Sequence, residues 1–175
     1  MRLENFIKEQ EQEMALPRNI YFGHSRLFYG TKEEIKAIQI IRKFFPNSNI
    51  ENPNSPTHTK ALVNYPKKSG AEMKYFVGLV DKADAGCFLV KDVKKWTMGA
   101  AIEAFRFLWA KKPVYIINLV KKTLTQIKNR KDIHKMSIKD TDKQLKKQGL
   151  SALIQEIEDL YIRTDNGEDI FEDII

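Results

Sequence analysis

A single carboxylate interrupts one of the most apolar stretches of the chain, "WTMGAAIEAF" at residues 96–105. Glu103 stands there among alanines, Met98, Ile102 and Phe105, with Gly99 one helical turn before it. A buried acid without a partner is costly or gives up its charge. Glu103 is therefore on an exposed edge, paired with a base or tyrosine in a helix buried on both faces, or part of a site. On a helical wheel Met98, Ala101, Ile102, Phe105, Leu108 and Trp109 form one apolar stripe, and Glu103 points well away from it. Its own column holds Gly99, Ala100, Phe107 and Ala110, so small residues leave room for a ligand next to the acid.

A second group with chemical potential is Gly23-His24-Ser25-Arg26, directly after a short β-type run. Glycine permits a tight turn, Ser25 and backbone N–H groups can donate to an anion, and Arg26 can grip phosphate. The glycine spacing is neither that of a P-loop nor of a dinucleotide fingerprint. His24 next to Ser25 lacks the elbow motif of a serine hydrolase. The three histidines have no metal-ligand spacing, so neither a metal nor another cofactor is expected. Cys87, the single cysteine, lies in the apolar run AGCFLV and reads as a buried, inert thiol.

The elements that must position these residues alternate between two periods. Residues 1–14 read as a charged helical leader. Asn19–Gly23 is a β-type run, and Thr31–Phe44 is a helix opened by the capping box Thr31-x-x-Glu34. Asn49–Glu51 is a weak strand, followed by an irregular stretch to Gly70 of the kind that forms lids or binding segments. A helix is expected over Ala71–Ala83, a buried strand over Ala85–Val90 and a helix from Thr97, its N-cap, to Lys111. Pro113 precedes a strand at Val114–Asn118. A basic helix over Val120–Lys128, a short last strand at Ile133–Met136, a helix from Ser137 to about Lys147 and an amphipathic segment at Leu150–Ile162 complete the reading.

Strands alternating with helices imply right-handed crossovers and a parallel sheet covered on both faces. The expected fold class is α/β: a three-layer αβα, Rossmann-like (flavodoxin-like) parallel sheet of about five strands with extra C-terminal helices. Residues 1–16 form a helical extension, 17–147 the α/β domain, and 148–175 a helix with an acidic tail. Ligands of such sheets bind at the carboxyl ends of strands, here around Gly23–Gly30, Lys91–Gly99 and Asn118.

Composition bounds the rest. A chain of 175 residues with 42% hydrophobic and 30% charged residues is read as globular. It has no apolar run of membrane-spanning length, and its charged N-terminus argues against a secretory leader. The cytoplasm is the expected compartment. The net charge of +7 is uneven: Lys111–Lys147 carries twelve Lys/Arg against three Asp, and Glu156–Ile175 eight Asp/Glu against Arg163. The basic stretch suits nucleic acid, a phosphorylated small molecule or plain solvation, and no nucleic-acid motif sharpens the choice.

Taken together, the motifs resemble the nucleoside 2-deoxyribosyltransferase superfamily, including its nucleoside 5′-phosphate N-hydrolase branch. The resemblance rests on IYFGHSRLFYG, LVDKADAGCFLV, the G-x-x-x-E of Gly99–Glu103 and the K-P-V of Lys112–Val114, and covers about residues 18–118. It implies cleavage or transfer of an N-glycosidic bond, with Glu103 as the nucleophile at the anomeric carbon. Arg26 matches the arginine that recognises a 5′-phosphate, with Ser25, His24 and Gly23 in the same turn. Tyr21, Tyr29, Asp84, Thr97, Gly99 and Asn118 are the other implied substrate contacts. Thr97 stands where the transferases carry Asp, as the hydrolase branch allows. The family's upstream Asp falls at Tyr75–Phe76, which leaves Glu72, and less directly Asp81, as auxiliary acids. The family also implies a homodimer or larger oligomer, for which Leu153, Ile154, Ile157, Leu160 and Tyr161 are available. Two other readings remain: a non-catalytic nucleotide-binding module on the same fold, and a basic nucleic-acid-associated protein.

Overall fold

The computed structural model describes residues 16–63 and 71–136, together with Asp140 and Lys143. Strand β1 (Asn19–His24) leads through a 3-10 turn at Arg26–Phe28 into helix α1 (Lys32–Phe44). Strand β2 (Asn49–Glu51), helix α2 (Pro56–Val63) and helix α3 (Ala71–Lys82) follow. Strand β3 (Ala85–Leu89), helix α4 (Met98–Trp109), and strands β4 (Val114–Asn118) and β5 (Thr123–Ile127) complete the described elements.

The sheet order is β2-β1-β3-β4-β5, a Rossmann-like arrangement with β1 and β3 adjacent at the switch in strand order. β2, β1, β3 and β4 run parallel. β5 is antiparallel to β4, pairing Asn118 with Thr123 and Val114 with Ile127. The expected helix over Val120–Lys128 is therefore corrected to a hairpin strand, and the sheet is mostly rather than wholly parallel. Two features explain it. Asn118 Oδ1 accepts from the N–H groups of Val120 and Lys121 at 3.1 and 2.9 Å, and Lys122 takes φ 52°, so the chain turns back at once. The connection is too short for a crossover, and Thr123, Thr125 and Ile127 suit a strand.

Two further expectations change. Part of the stretch expected to be irregular up to Gly70 forms α2, which Ser55 precedes; Ser55 O accepts from Thr59 N at 3.0 Å. Ile133–Met136 is not a strand of the sheet: it makes a single parallel bridge between Trp96 and Lys135. The leader, the start of the helix at Ser137 and everything from residue 144 onward lie outside the described residues.

Side-chain alternation along the strands divides the core in two. Ile20, Phe22, Ala85, Cys87 and Leu89 pack with Ala37, Ile40 and Ile41 of α1 on one face. Tyr21, Phe88 and Val114 pack with Val77 and Val80 of α3 and with Ala101, Ile102 and Phe105 of α4 on the other. The AGCFL strand is buried along its whole length, as a central parallel strand must be. Cys87 is free and fully buried, and burial pushes its thiol far above the ordinary cysteine range, so the inert reading holds.

Gly23 is required by packing rather than by turn geometry. A Cβ there would sit 2.2 Å from the Phe88 ring, which fills the space above the residue. The space beside Gly99 is also occupied, with Met73 Cε 3.3 Å from where a Cβ would stand. The clearance read beside Glu103 thus serves close approach of α3 and α4.

Candidate functional site

Glu103 lies on the second turn of α4, where Ala100 to Phe105 are all buried. It is 7% exposed, and among the described residues it forms no salt bridge. Burial pushes its carboxyl up to about 8, with the neighbouring Tyr21 hydroxyl pulling the other way. The free protein thus holds Glu103 largely protonated at neutral pH.

Tyr21 comes from the middle of β1 and is fully buried between Phe88 and Phe107, whose ring centroids are 6.3 and 6.1 Å away. Its hydroxyl has no hydrogen-bond partner of ordinary geometry, although Glu103 acts on it strongly. The pair is therefore one of electrostatic neighbours that stop short of a normal hydrogen bond. Burial, then the charge of Glu103, raise the Tyr21 pKa well above the usual phenol range, with smaller contributions from Tyr29 and Glu51. Among the described residues the buried acid has no cation, and the buried hydroxyl has only that acid as an electrostatic neighbour, which leaves hydrogen-bonding capacity of Tyr21 unspent in an apolar interior. Such groups cluster at functional sites.

Next to this pair runs a line of side chains that the sequence did not single out. Glu51, the in-register partner of Tyr21 on β2, meets His58 Nε2 of α2. His58 Nδ1 lies 2.6 Å from the hydroxyl of Tyr75 on α3. No local motif marks these three, since they come from three elements. The only hint was the position of Tyr75–Phe76 where the resembled family places an acid.

At the carboxyl ends of β1 and β3 a cleft of about 410 Å³ opens at the strand-order switch. Ser25, Val90 and Thr97 line it, with Lys91, Lys95 and Lys143 as cations and Asp140 as an acid. Thr97 is the N-cap of α4, but its side chain makes no capping bond, so its hydroxyl is not consumed by the helix. Ser25 Oγ accepts weakly from Leu27 N at 3.3 Å. Glu103 is not among the residues lining this cleft.

The other expected site residues separate into distinct places. His24 stacks on Phe22 at 4.2 Å and turns to the α1 face, opposite Tyr21. There its ring lies 3.2 Å from Glu34, which also accepts from Asn52, Asn54 and the N–H of Gly30. Burial lowers the His24 pKa, outweighing Phe22 O and Glu34, which raise it. For Glu34 burial would raise the pKa, but the bonds from Asn52, Asn54 and Gly30 and the His24 ring bring it below the usual value. His24 and Glu34 thus brace the turn instead of facing the cleft. Tyr29 packs against His24 at 5.0 Å, and Arg26 is exposed at the start of the 3-10 turn.

Asp84 accepts from the N–H groups of Arg18 and Asn19, both at 2.9 Å, at the amino end of β1. That is the edge of the sheet opposite the cleft, so it is a structural clamp. Asp81 is engaged by Arg106 at 2.7 and 3.1 Å near the end of α3, away from Glu103. Asn118 closes the β4–β5 turn. The side chain of Glu72 lies outside the described residues. The structure thus brings Glu103 to Tyr21 and puts Ser25 and Thr97 in one cleft. It separates His24, Asp81 and Asp84 from both.

Among the described residues no group of three His, Cys, Asp or Glu side chains is placed to hold a metal ion, and no helix is long and apolar enough to cross a membrane. No family model, curated protein or solved structure matches the chain.

Proposed function

We propose that the protein cleaves or transfers the N-glycosidic bond of a nucleoside or nucleotide, with Glu103 as the reacting carboxylate. The observation that carries this reading is the pair itself: a buried Glu103 with no cation among the described residues, beside the buried hydroxyl of Tyr21 that makes no ordinary hydrogen bond there. Departure of a base leaves an oxocarbenium-like sugar, which a carboxylate in a dry site stabilises and can trap covalently. The developing positive charge is stabilised by the ionised form of Glu103, so the reaction proceeds from the fraction of the protein that holds this carboxyl deprotonated. Ser25, Thr97 and the lysines of the cleft would hold a phosphate at the helix entry, with Arg26 at its rim. Glu103 sits about 9 Å further along the α4 axis than Thr97, at 1.5 Å rise per residue, a span compatible with a nucleotide. A homo-oligomer in the cytoplasm and a small-molecule nucleoside or nucleotide as the favoured partner belong to the same reading.

The direct experiment incubates the protein with a panel of nucleosides and nucleoside 5′-monophosphates and measures free base. Release by wild type and none by Glu103→Gln is expected; equal release by both would refute the assignment.

A second reading, a nucleotide-binding module without catalysis, is favoured by one observation: the lysine-bearing cleft does not include Glu103 in its lining. Its signature would be thermal stabilisation by nucleotides that Lys91→Ala/Lys95→Ala weakens, with no base released by any variant.

A further inference from the structure

Glu51, His58 and Tyr75 form one hydrogen-bonded line from β2 through α2 to α3. His58 is 6% exposed, while the Glu51 side chain is 35% exposed and Tyr75 half-buried, so the ring is shielded between two partly accessible ends. A carboxylate, an imidazole and a hydroxyl in series move protons: the carboxylate orients the ring and stabilises its cation, and the ring exchanges a proton with the hydroxyl.

Two observations tie this line to Glu103. Tyr21 and Glu51 are register partners on adjacent parallel strands, so their side chains leave the sheet on the same face, and Tyr21 feels the charge of both Glu51 and Glu103. Helices α3 and α4 also pack against each other, with Met73 against Gly99. Both begin at the carboxyl edge of the sheet, and Tyr75 and Glu103 are the fifth and sixth residues of their helices. They therefore lie at nearly the same depth, about 6 and 7.5 Å below the helix starts.

We infer that Glu51, His58 and Tyr75 are the acid–base partner of Glu103, serving a nucleoside or nucleotide whose departing base must be protonated. This rests on the glycosidic reading of Glu103. In the first half-reaction a Glu103 carboxylate oxygen bonds to the anomeric carbon as the carbon–nitrogen bond breaks, and its electron pair goes to the base. The base nitrogen takes the Tyr75 hydroxyl proton, which the His58 imidazolium replaces; the ring ends neutral, hydrogen-bonded to the Glu51 carboxylate. In the second half water attacks the anomeric carbon, the Glu103–carbon bond breaks, and the water's proton returns through Tyr75 to His58. The sum is one water consumed, with sugar and free base released.

The test compares two leaving groups. Natural bases need a proton; 4-nitrophenolate, released from a 4-nitrophenyl (deoxy)riboside, does not. Tyr75→Phe and His58→Gln are expected to lose about 100-fold or more in base release. In the first turnover they should release nitrophenolate within about threefold of the wild-type rate, because that half-reaction then needs no proton, and this release also reports that they fold. Equal losses on both substrates, or no loss on either, would overturn the inference while leaving Glu103 in place. Wild type that releases neither leaving group, or a fully active Glu103→Gln, would overturn the glycosidic reading and the inference with it.

Discussion

Tyr21 and Glu51 face each other in register across β1 and β2, so a buried hydroxyl with no ordinary hydrogen bond among the described residues stands between the carboxyl of Glu103 and the Glu51–His58–Tyr75 line. Two acids, two phenols and one imidazole thus converge on a single face of the sheet near its carboxyl edge. Packing alone gives no reason to gather them there. Their chemistry and their burial make separate, measurable demands on the protein.

The first concerns stability at alkaline pH. The folded pKa of Glu103 is raised from 4.5 to about 8, so between those values the folded state holds a proton that the unfolded state has released. Stability attributable to this group is full below about 4.5 and falls as pH rises toward 8, by an amount of order a few kcal/mol. Glu103→Gln keeps the shape and removes the titration. Denaturant melts across pH 5–9 (about the interval in which the linkage acts) should show a declining wild-type curve and a flatter variant that is the more stable at the alkaline end.

The same titration shapes activity. If the carboxylate form of Glu103 reacts, kcat/KM on a 4-nitrophenyl glycoside, whose leaving group needs no proton, must rise as pH increases toward about 8, because the free protein then supplies more of that form. A kcat/KM that is highest in acid and falls through this region would instead mark Glu103 as a proton donor.

On the acid side the sign reverses. The His24 pKa is lowered in the folded state, so its contribution is present above the unfolded value of 6.5 and lost as pH falls through the folded pKa. Glu34, whose pKa is lowered from 4.5, adds a loss at still lower pH. Glu34→Ala removes the acceptor shared by Gly30, Asn52, Asn54 and His24, and should cost about 2–4 kcal/mol at neutral pH. Urea unfolding monitored by Trp fluorescence would check both, and an effect under about 0.5 kcal/mol, typical of surface changes, would show that the brace is dispensable.

Glycine positions offer a contrast within one fold. Gly23→Ala drives a methyl into the Phe88 ring at 2.2 Å, and should destabilise by about 1–3 kcal/mol. Gly78 lies inside α3 with nothing within 4 Å of a Cβ, so Gly78→Ala should stabilise by about 0.5–1 kcal/mol. Thermal melts of the two variants should move in opposite directions.

The layers were legible because long elements carry one period each. Half of the capping box at Thr31 forms as read, with Thr31 Oγ1 accepting from Glu34 N at 3.3 Å, but the Glu34 side chain accepts from Gly30 N instead of Thr31 N, which donates to Phe28 O. AGCFL reads as a buried strand because every one of its residues faces a helix layer. β5 was not legible: TLTQI sits in a basic run, and its strand state depends on a turn that Asn118 organises through its side chain. Within the site, the separation of Glu103 from the apolar stripe anticipated a special environment, and the structure fills it with Tyr21 and Met73 instead of open space. His24 and Asp84 looked like ligands because they flank strand ends. Strand alternation sends His24 to the other face, and the backbone N–H groups at the start of β1 claim Asp84. The Glu51–His58–Tyr75 line could not be read at all, since it exists only once β2, α2 and α3 are folded together.

Intact-protein mass spectrometry, followed by peptide mapping, tests the central claim most directly. The protein is incubated with a 2′-fluoro-arabinosyl nucleoside, whose fluorine slows breakdown of a glycosyl–enzyme ester. A sugar adduct on the peptide containing Glu103, absent from Glu103→Gln, is the predicted result. Free base accumulating with no adduct, or an adduct that persists in Glu103→Gln, would contradict it.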